Sequence, residues 1–474
     1  MVCFRWPSVK QTPHTESMRC DRTGHPVACT RSFARTHGSH AYLLNARFYT
    51  QVGNRGTRLK IDRDRFLEEG YIVLRGVVPP DRLESIRESY ERLVENQKAI
   101  WAAERRPADP PGGVWETARQ PRLNLARPPL ADLIDARSAP AVEIWLHEHT
   151  AGATSELLGV GDAAVTEMML MCSPPSQDFG PAEWHRDLAP PYCAPLQGYT
   201  DDIAESGPRY VQWNLSLYDD DVLWVIPGSH LRINTDEENQ QLLKDRRVPL
   251  PGGVQTHLKA GDGVAYILPI LHWGSNYSTR LRRCIHGGFS TFAAYEHSDY
   301  IDALSTSAQD TFRRWTRRSD TMKDITESVL RAAISKDGEG YHQGLDKLHP
   351  GRGEKGKLLS TIYLSKTAKR IYHLKRPDFE TLPDKTKAEA INPHPITLQW
   401  GRAFAERFTP AEAEVLWRRF KPIDDGVRAD EEQTDPGFQG TASRYVFSKM
   451  PTGLSVEGFV GSWQAGPSGA LPDG

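Results

Sequence analysis

Five short apolar runs crowded between Val165 and Phe292 constrain this chain most: "VTEMMLMCSPP", "YVQWNLSLYD", "VLWVIPGSH", "GDGVAYILP" and "RCIHGGFSTF". Each is bounded by Gly, Pro, Asp or Ser, and short strands at this spacing predict an all-β sandwich or barrel. On both sides the pattern turns helical. "DRDRFLEEGYIVLRGVVPPDRLESIRESYERLVENQ" predicts a short helix, a strand over Tyr71–Leu74 and a long helix opened by Pro79-Pro80-Asp81. Leu83, Ile86, Tyr90 and Leu93 recur there at helical spacing. "APAVEIWLHEHTAGATSELLG" predicts a second amphipathic helix, and the Pro- and Arg-rich residues 105–128 a long loop. Beyond residue 300 the chain predicts charged helices, through "DTFRRWTRRSDTMKDITESVLRAAIS" and "TPAEAEVLWRRF". Residues 336–357 and 421–442, rich in Gly, Asp, Lys and Glu, read as loops or linkers. The expected organisation is a basic head over 1–60, a β domain over 61–300, a charged helical extension over 301–420 and a loop-rich tail over 421–474.

Charge and cysteine usage narrow the class. Lys and Arg number 59 against 61 Asp and Glu, so no global pull toward nucleic acid or a membrane surface follows. The balance hides a basic head, where residues 1–60 hold ten Lys or Arg and only Glu16 and Asp21 as acids. With few apolar residues to offset ordering entropy, residues 1–55 are expected to be disordered, or to lie upstream of the true start. An organelle-targeting segment fits the same composition, the alternative to a cytoplasmic protein. The six Cys form no C-x-x-C pair, so neither a zinc knuckle nor a disulfide framework is supported. No apolar run approaches the ~20 residues of a membrane span.

"SQDFGPAEWHRDLAPPYC", residues 176–193, contains both a DFG and an HRD. Their order is the reverse of a protein kinase, and Tyr192 stands where a kinase has its metal-binding Asn. Neither a G-x-G-x-x-G loop nor a V-A-I-K strand precedes them to hold ATP phosphates. Phosphoryl transfer is therefore set aside.

His185 and Asp187 are two residues apart, so on extended backbone both side chains point to one face. A third ligand is available in His272, at a strand end in "ILPILHWGSNYS". Two His and one carboxylate on an octahedral ion leave three positions open, as in non-haem Fe(II) oxygenases. The competing reading is a surface His-x-Asp and a hydrogen-bonded core His, in a chain with sixteen His. A bidentate 2-oxoglutarate would fill two open positions, and its distal carboxylate suits an Arg fork. "TRLRRCIHGGFS" offers Arg280, Arg282 and Arg283. Alternation sends Arg282 and Arg283 to opposite faces, but both faces look apolar and periodicity does not choose between them.

The motifs in their order resemble the phytanoyl-CoA dioxygenase family of Fe(II)/2-oxoglutarate oxygenases. They run from "FLEEGYIVLRGVVPPDRLESIRE" at Phe66 through "WHRD" (184–187), "LWVIPGSH" (223–230) and "GDGVAYILPILHWGSN" (261–276) to "RLRRCIHGGFS" (280–290). The similarity spans residues 62 to 295 and implies a double-stranded β-helix, or jelly-roll, core with flanking helices. Carried over by position, it implies His185, Asp187 and His272 as iron ligands, Arg282 as the 2-oxoglutarate anchor with Arg283 as second choice, and Trp213 as a cosubstrate contact. His230 and His286 are then structural or pocket-lining. Fe(II), 2-oxoglutarate and O2 are the implied cofactor and cosubstrates. The implied partner is a small-molecule substrate, organic or lipid-like, with no nucleic acid. Family-like halogenases lack the carboxylate ligand, so Asp187 favours hydroxylation, with desaturation, ring closure or endoperoxide formation possible at the same iron. Two readings compete: a non-catalytic jelly-roll binding or scaffold protein, and a cupin-type hydrolase or isomerase that would need no buried Arg. Substrate identity, oligomeric state and the role of residues 301–474 are not legible.

Overall fold

A computed structural model describes residues 59–118, 121–124, 133–173, 181–188, 193–274, 280–291, 299–392, 394–427 and 448–463. The basic head up to residue 58 and Asp178-Phe179-Gly180 lie outside the described residues. Nine strands are described: β1 (Tyr71–Leu74), β2 (Arg122–Asn124), β3 (Ala164–Ser173), β4 (Tyr210–Ser216), β5 (Leu223–Val225), β6 (Val254–Gln255), β7 (Gly263–Ile267), β8 (His272–Gly274) and β9 (Arg282–Ser290). They form an antiparallel six-stranded sheet, β1-β7-β4-β9-β3-β2, and an antiparallel three-stranded sheet, β6-β5-β8.

The large sheet has two unlike faces. On one, Val211, Trp213, Leu215, Ile285 and Phe289 join a core with Phe66, Ile86, Tyr90 and Trp145. The helix Pro80–Ala103 supplies Ile86, Tyr90, Leu93 and Val94 to that core, along the stripe its sequence predicts. The chain enters through the helix Arg63–Glu69, which ends at Gly70 in the left-handed region, φ 81°. A Cβ there would lie 2.2 Å from the ring of His230, so both the backbone and the close approach require glycine. The opposite face of β4 and β9 carries Gln212, Asn214, Arg282 and His286, all buried.

From Thr306 the chain is helical: Thr306–Ser335, Gly338–Leu348, Glu354–Lys375, Asp384–Ile391, Pro410–Gly426 and Val456–Ser462. All of these except Asp384–Ile391 share one apolar core with Leu188, Cys193, Leu196 and Tyr199, residues that follow Asp187 closely in sequence. Arg209 pairs with Asp202 at 2.5 Å and donates to the Gly356 carbonyl at 2.7 Å, tying the helix Leu196–Ser206 to the helix Glu354–Lys375. All described residues belong to one compact unit, Gly53–Gly474.

Several local expectations are corrected. Residues 336–357, read as a loop, hold the helix Gly338–Leu348 and the start of the next at Glu354. The second amphipathic helix is broken into an α turn (Pro140–Glu143), a 3-10 turn (Ile144–Leu146), a π turn (Glu148–Gly152) and a short helix (Ala153–Leu158). His147 is extended at ψ 149°, and Thr150 bonds back to the Ile144 and His147 carbonyls, which stabilises the break. The long loop at 105–128 contains the helical turn Val114–Thr117 and β2. In the tail, one helix continues to Gly426 and another spans Val456–Ser462.

Candidate metal centre

The backbone brings the two histidines together. His185 and His272 form an antiparallel bridge, each N–H donating to the other's carbonyl at 2.9 and 3.0 Å. Directly opposed residues in such a pair send their side chains to the same face. Asp187 follows two residues on and completes the group, its ligand atoms within 4.8 Å of theirs. His185 Nε2 is 3.2 Å from Asp187 Oδ1, and His272 Nε2 is 3.5 Å from Asp187 Oδ2.

The residues between the ligands hold this arrangement. Arg186 is fully buried and donates to the Ser229 and Pro269 carbonyls at 2.8 and 2.7 Å. It also donates to Asn234 Oδ1 at 2.8 and 3.1 Å. It thereby ties the His185–Asp187 segment to the turn before His272 and to the Pro227–His230 turn. Behind the histidines, Trp184 and Trp273 stack at 5.4 Å. Their indole N–H groups donate to the Val248 and Ala182 carbonyls.

Hydrogen bonding sets the histidine tautomers. Nδ1 of His185 is 2.7 Å from the Glu183 carbonyl, and Nδ1 of His272 is 3.1 Å from the Ile270 carbonyl. A carbonyl only accepts, so each Nδ1 carries the hydrogen and a neutral ring presents its Nε2 lone pair. Burial, reinforced by His185, pushes His272 down to about 4, so it is neutral near pH 7. Burial alone would push the Asp187 carboxyl up, but His272, His185 and the Gln212 amide outweigh it and hold it well below the usual range. Two imidazole lone pairs and a carboxylate anion thus converge on one point. This donor set fits a divalent first-row cation with open coordination positions, Fe(II) among them.

A polar layer that the sequence reading passed over backs the ligands. Gln212 Nε2 lies 2.9 Å from Asp187 Oδ2, 2.9 Å from the Tyr266 hydroxyl and 3.1 Å from His286 Nε2. His286 Nδ1 lies 2.6 Å from Asn214 Oδ1. The available signal was polar residues at i and i+2, Gln212 and Asn214, inside a strand whose seven residues are all buried. His286, read as structural or pocket-lining, belongs to this layer. His230 does not: it is buried elsewhere, bonded to the Leu67 carbonyl and pushed down to about 4 by burial.

The two arginines part as alternation requires. Arg282 shares its face of β9 with His286, is buried, and donates Nε to Asp220 Oδ2 at 2.7 Å. Burial disfavours its charge, and Asp220 more than offsets that, raising its pKa above the ordinary value. Arg283 shares the other face with Ile285 and Phe289 and pairs with Glu91 of the helix Pro80–Ala103 at 2.7 Å. Trp213 is not brought to the ligands. It lies on the core side of β4, where its indole N–H donates to Thr154 Oγ1 at 2.9 Å.

Residues 66–284 match the family model of phytanoyl-CoA dioxygenase (PhyH), which bears out the resemblance read from the ordered motifs. Among solved structures, AviO1 from Streptomyces viridochromogenes Tue57 is similar at 19% identity, over 52% of this chain and 100% of that one, with a TM-score of 0.35. EctD from S. alaskensis with 2-oxoglutarate and 5-hydroxyectoine is similar at 18% identity, over 52% and 81% of the two chains, with a TM-score of 0.34. The epimerase SnoN in complex with Fe3+, alpha ketoglutarate and nogalamycin RO is similar at 17% identity, over 50% and 84%, with a TM-score of 0.34. No match was found among the curated proteins. Among the described residues no helix is long and apolar enough to cross a membrane.

Proposed function

We propose that the phytanoyl-CoA dioxygenase segment at 66–284 makes this chain an Fe(II)/2-oxoglutarate-dependent dioxygenase that hydroxylates a small organic or lipid-like substrate. On this reading the nine strands build a jelly-roll domain over residues 61–300, followed by a helical extension over 301–420 and a tail over 421–474. The observation that carries the reading is the convergence of His185, Asp187 and His272, with ligand atoms within 4.8 Å of one another.

His185 and His272 would hold Fe(II) through Nε2, and Asp187 through a carboxylate oxygen. Fe(II) with 2-oxoglutarate and O2 supplies an oxidant able to take hydrogen from an unactivated C–H bond, the cosubstrate leaving as succinate and CO2. Arg282 would pair with the distal carboxylate of 2-oxoglutarate. A guanidinium suits this because it keeps its charge when buried and binds a carboxylate through two parallel bonds. Asp187 would fill the position that a halide needs, which favours hydroxylation over halogenation. Arg186, by locking the turn before His272, keeps the two histidines at their spacing.

The test is succinate release from 2-oxoglutarate by the Fe(II)-loaded protein, with and without candidate substrates, followed by product mass. Turnover with a mass gain of one oxygen supports hydroxylation, and a loss of two hydrogens replaces it with desaturation or cyclisation. Iron retention with no succinate from any candidate would leave a non-catalytic binding protein.

A further inference from the structure

We infer that Gln212 is a positioning residue for Asp187, and that His286 and Asn214 fix the direction of its amide. This rests on the metal-centre reading above and adds to it a fixed carboxylate.

Burying a primary amide in the central strand of a sheet is costly unless its donors and acceptor are met. Gln212 is 4% exposed, in β4 between β7 and β9, and its nitrogen is surrounded by Asp187, Tyr266 and His286. An amide nitrogen only donates and a carboxylate only accepts, so one of its hydrogens goes to Asp187 Oδ2. Turning the amide over would put its carbonyl oxygen 2.9 Å from that anionic oxygen, a repulsive contact. Chemistry therefore selects the orientation.

The next link agrees. Asn214 Oδ1 accepts from His286 Nδ1 at 2.6 Å, so His286 Nε2 carries the lone pair and faces the Gln212 nitrogen at 3.1 Å. The two amide hydrogens of Gln212 meet three acceptors: one goes to Asp187 Oδ2, the other is shared between the Tyr266 hydroxyl at 2.9 Å and His286 Nε2 at 3.1 Å, and His286 donates onward to Asn214. Strand register builds this network: Asn214 is the cross-strand partner of His286, and Gln212 that of Tyr266. Asp187, by contrast, follows the segment bridged to β8 of the small sheet. The Gln212 amide thus reaches from the large sheet to the segment bridged to the small one and holds Oδ2, leaving Oδ1 beside His185 Nε2 at 3.2 Å. A carboxylate free to rotate about its last bond would lose part of its binding to the cation in ordering, and the Gln212 bond removes that freedom beforehand. Partners of metal ligands typically carry about 10- to 100-fold in metal affinity.

The experiment is Co(II) titration of the metal-free full chain, with melting recorded before metal is added. Gln212→Met keeps the length and removes the donors. Gln212→Asn keeps the chemistry but is one methylene too short to reach Asp187 while filling the same strand position, so it serves if Gln212→Met does not fold. The expected result is at least ~tenfold weaker Co(II) binding in either variant, with a shifted cobalt absorption spectrum. His272→Ala is the control for the site itself and should bind no Co(II). Wild-type affinity and spectrum in the folded Gln212 variants, with His272→Ala silent, overturns the role of Gln212 alone. Wild-type affinity in His272→Ala overturns the metal centre and this inference with it.

Discussion

The two faces of the six-stranded sheet are made by alternate residues of the same strands and do different things. On β4, Val211, Trp213 and Leu215 point into the apolar core under the helix Pro80–Ala103, while Gln212 and Asn214 point to Asp187 and His286. On β9, Ile285 and Phe289 take the core side and Arg282 and His286 the other. All seven residues of β4 and all nine of β9 are buried, so burial alone does not tell the faces apart. What separates them is the kind of partner. The core face is satisfied mainly by packing, with the Trp213–Thr154 bond and the Arg283–Glu91 pair at its polar atoms, so its side chains stabilise the fold. The inner face is satisfied by directed bonds, and the one from Gln212 ends at Asp187, one of three groups placed to hold a cation.

The largest effect is expected at the ligands. His272→Ala should abolish iron retention and succinate production, because two ligands cannot replace three, while far-UV circular dichroism of the variant stays that of the wild type. Bound iron in the purified variant, near one equivalent, would remove His272 from the site. On the core face the pattern inverts. Trp213→Ala should destabilise the fold by ~3–5 kcal/mol, the usual range for emptying a large buried side chain. The fraction that remains folded should bind iron and 2-oxoglutarate as the wild type does. A changed 2-oxoglutarate affinity in Trp213→Phe, which keeps the core filled, would return Trp213 to the pocket.

How much of this the sequence discloses depends on the physics of each feature. The His185–Asp187 pair is legible because an i, i+2 spacing shares a face wherever the strand sits, and the strands because Gly, Pro and Asp punctuate them. The choice between Arg282 and Arg283 is not, because a strand buried on both faces has no amphipathic signal; register against β4 had to supply it. Gln212 is illegible as a partner of Asp187 because their contact joins residues 25 apart, one in the large sheet and one beside the segment bridged to the small sheet. Composition misleads at 338–348, where Gly and charged residues suggest a loop. There Asp337 caps a helix by accepting from the Gly340 N–H, and Tyr341, Leu345 and Leu348 bury one stripe. Gly344 is a packing residue: a Cβ on it would meet Val329 at 2.3 Å, so its absence lets the two helices approach.

Within the inner face, Arg282→Lys should have a smaller effect than losing a ligand. If Arg282 anchors 2-oxoglutarate, an ammonium cannot reproduce a two-bond fork. Hydrogen bonds to charged groups contribute roughly 1.5–3 kcal/mol each, so losing one weakens cosubstrate binding by about tenfold or more. Titrating 2-oxoglutarate into the anaerobic Fe(II) protein reads this directly. An unchanged affinity would mean that Asp220, 2.7 Å from Nε, is the only carboxylate Arg282 serves.

The smallest effect is expected one residue along. Arg283 faces the core side and pairs with Glu91, whose side chain is 37% exposed, so the pair is partly screened. Arg283→Lys can keep one bond to Glu91 and the apolar stem against the core. Its stability cost should be on the order of 1 kcal/mol, because Arg283 is itself buried while Glu91 stays partly in water. Because its guanidinium lies across the sheet from Gln212 and His286, 2-oxoglutarate affinity should stay within a factor of about two, less than half a kcal/mol by the usual conversion. A tenfold loss at Arg283 with none at Arg282 would reverse the two faces of β9, and with them the assignment of which side of this sheet carries the site.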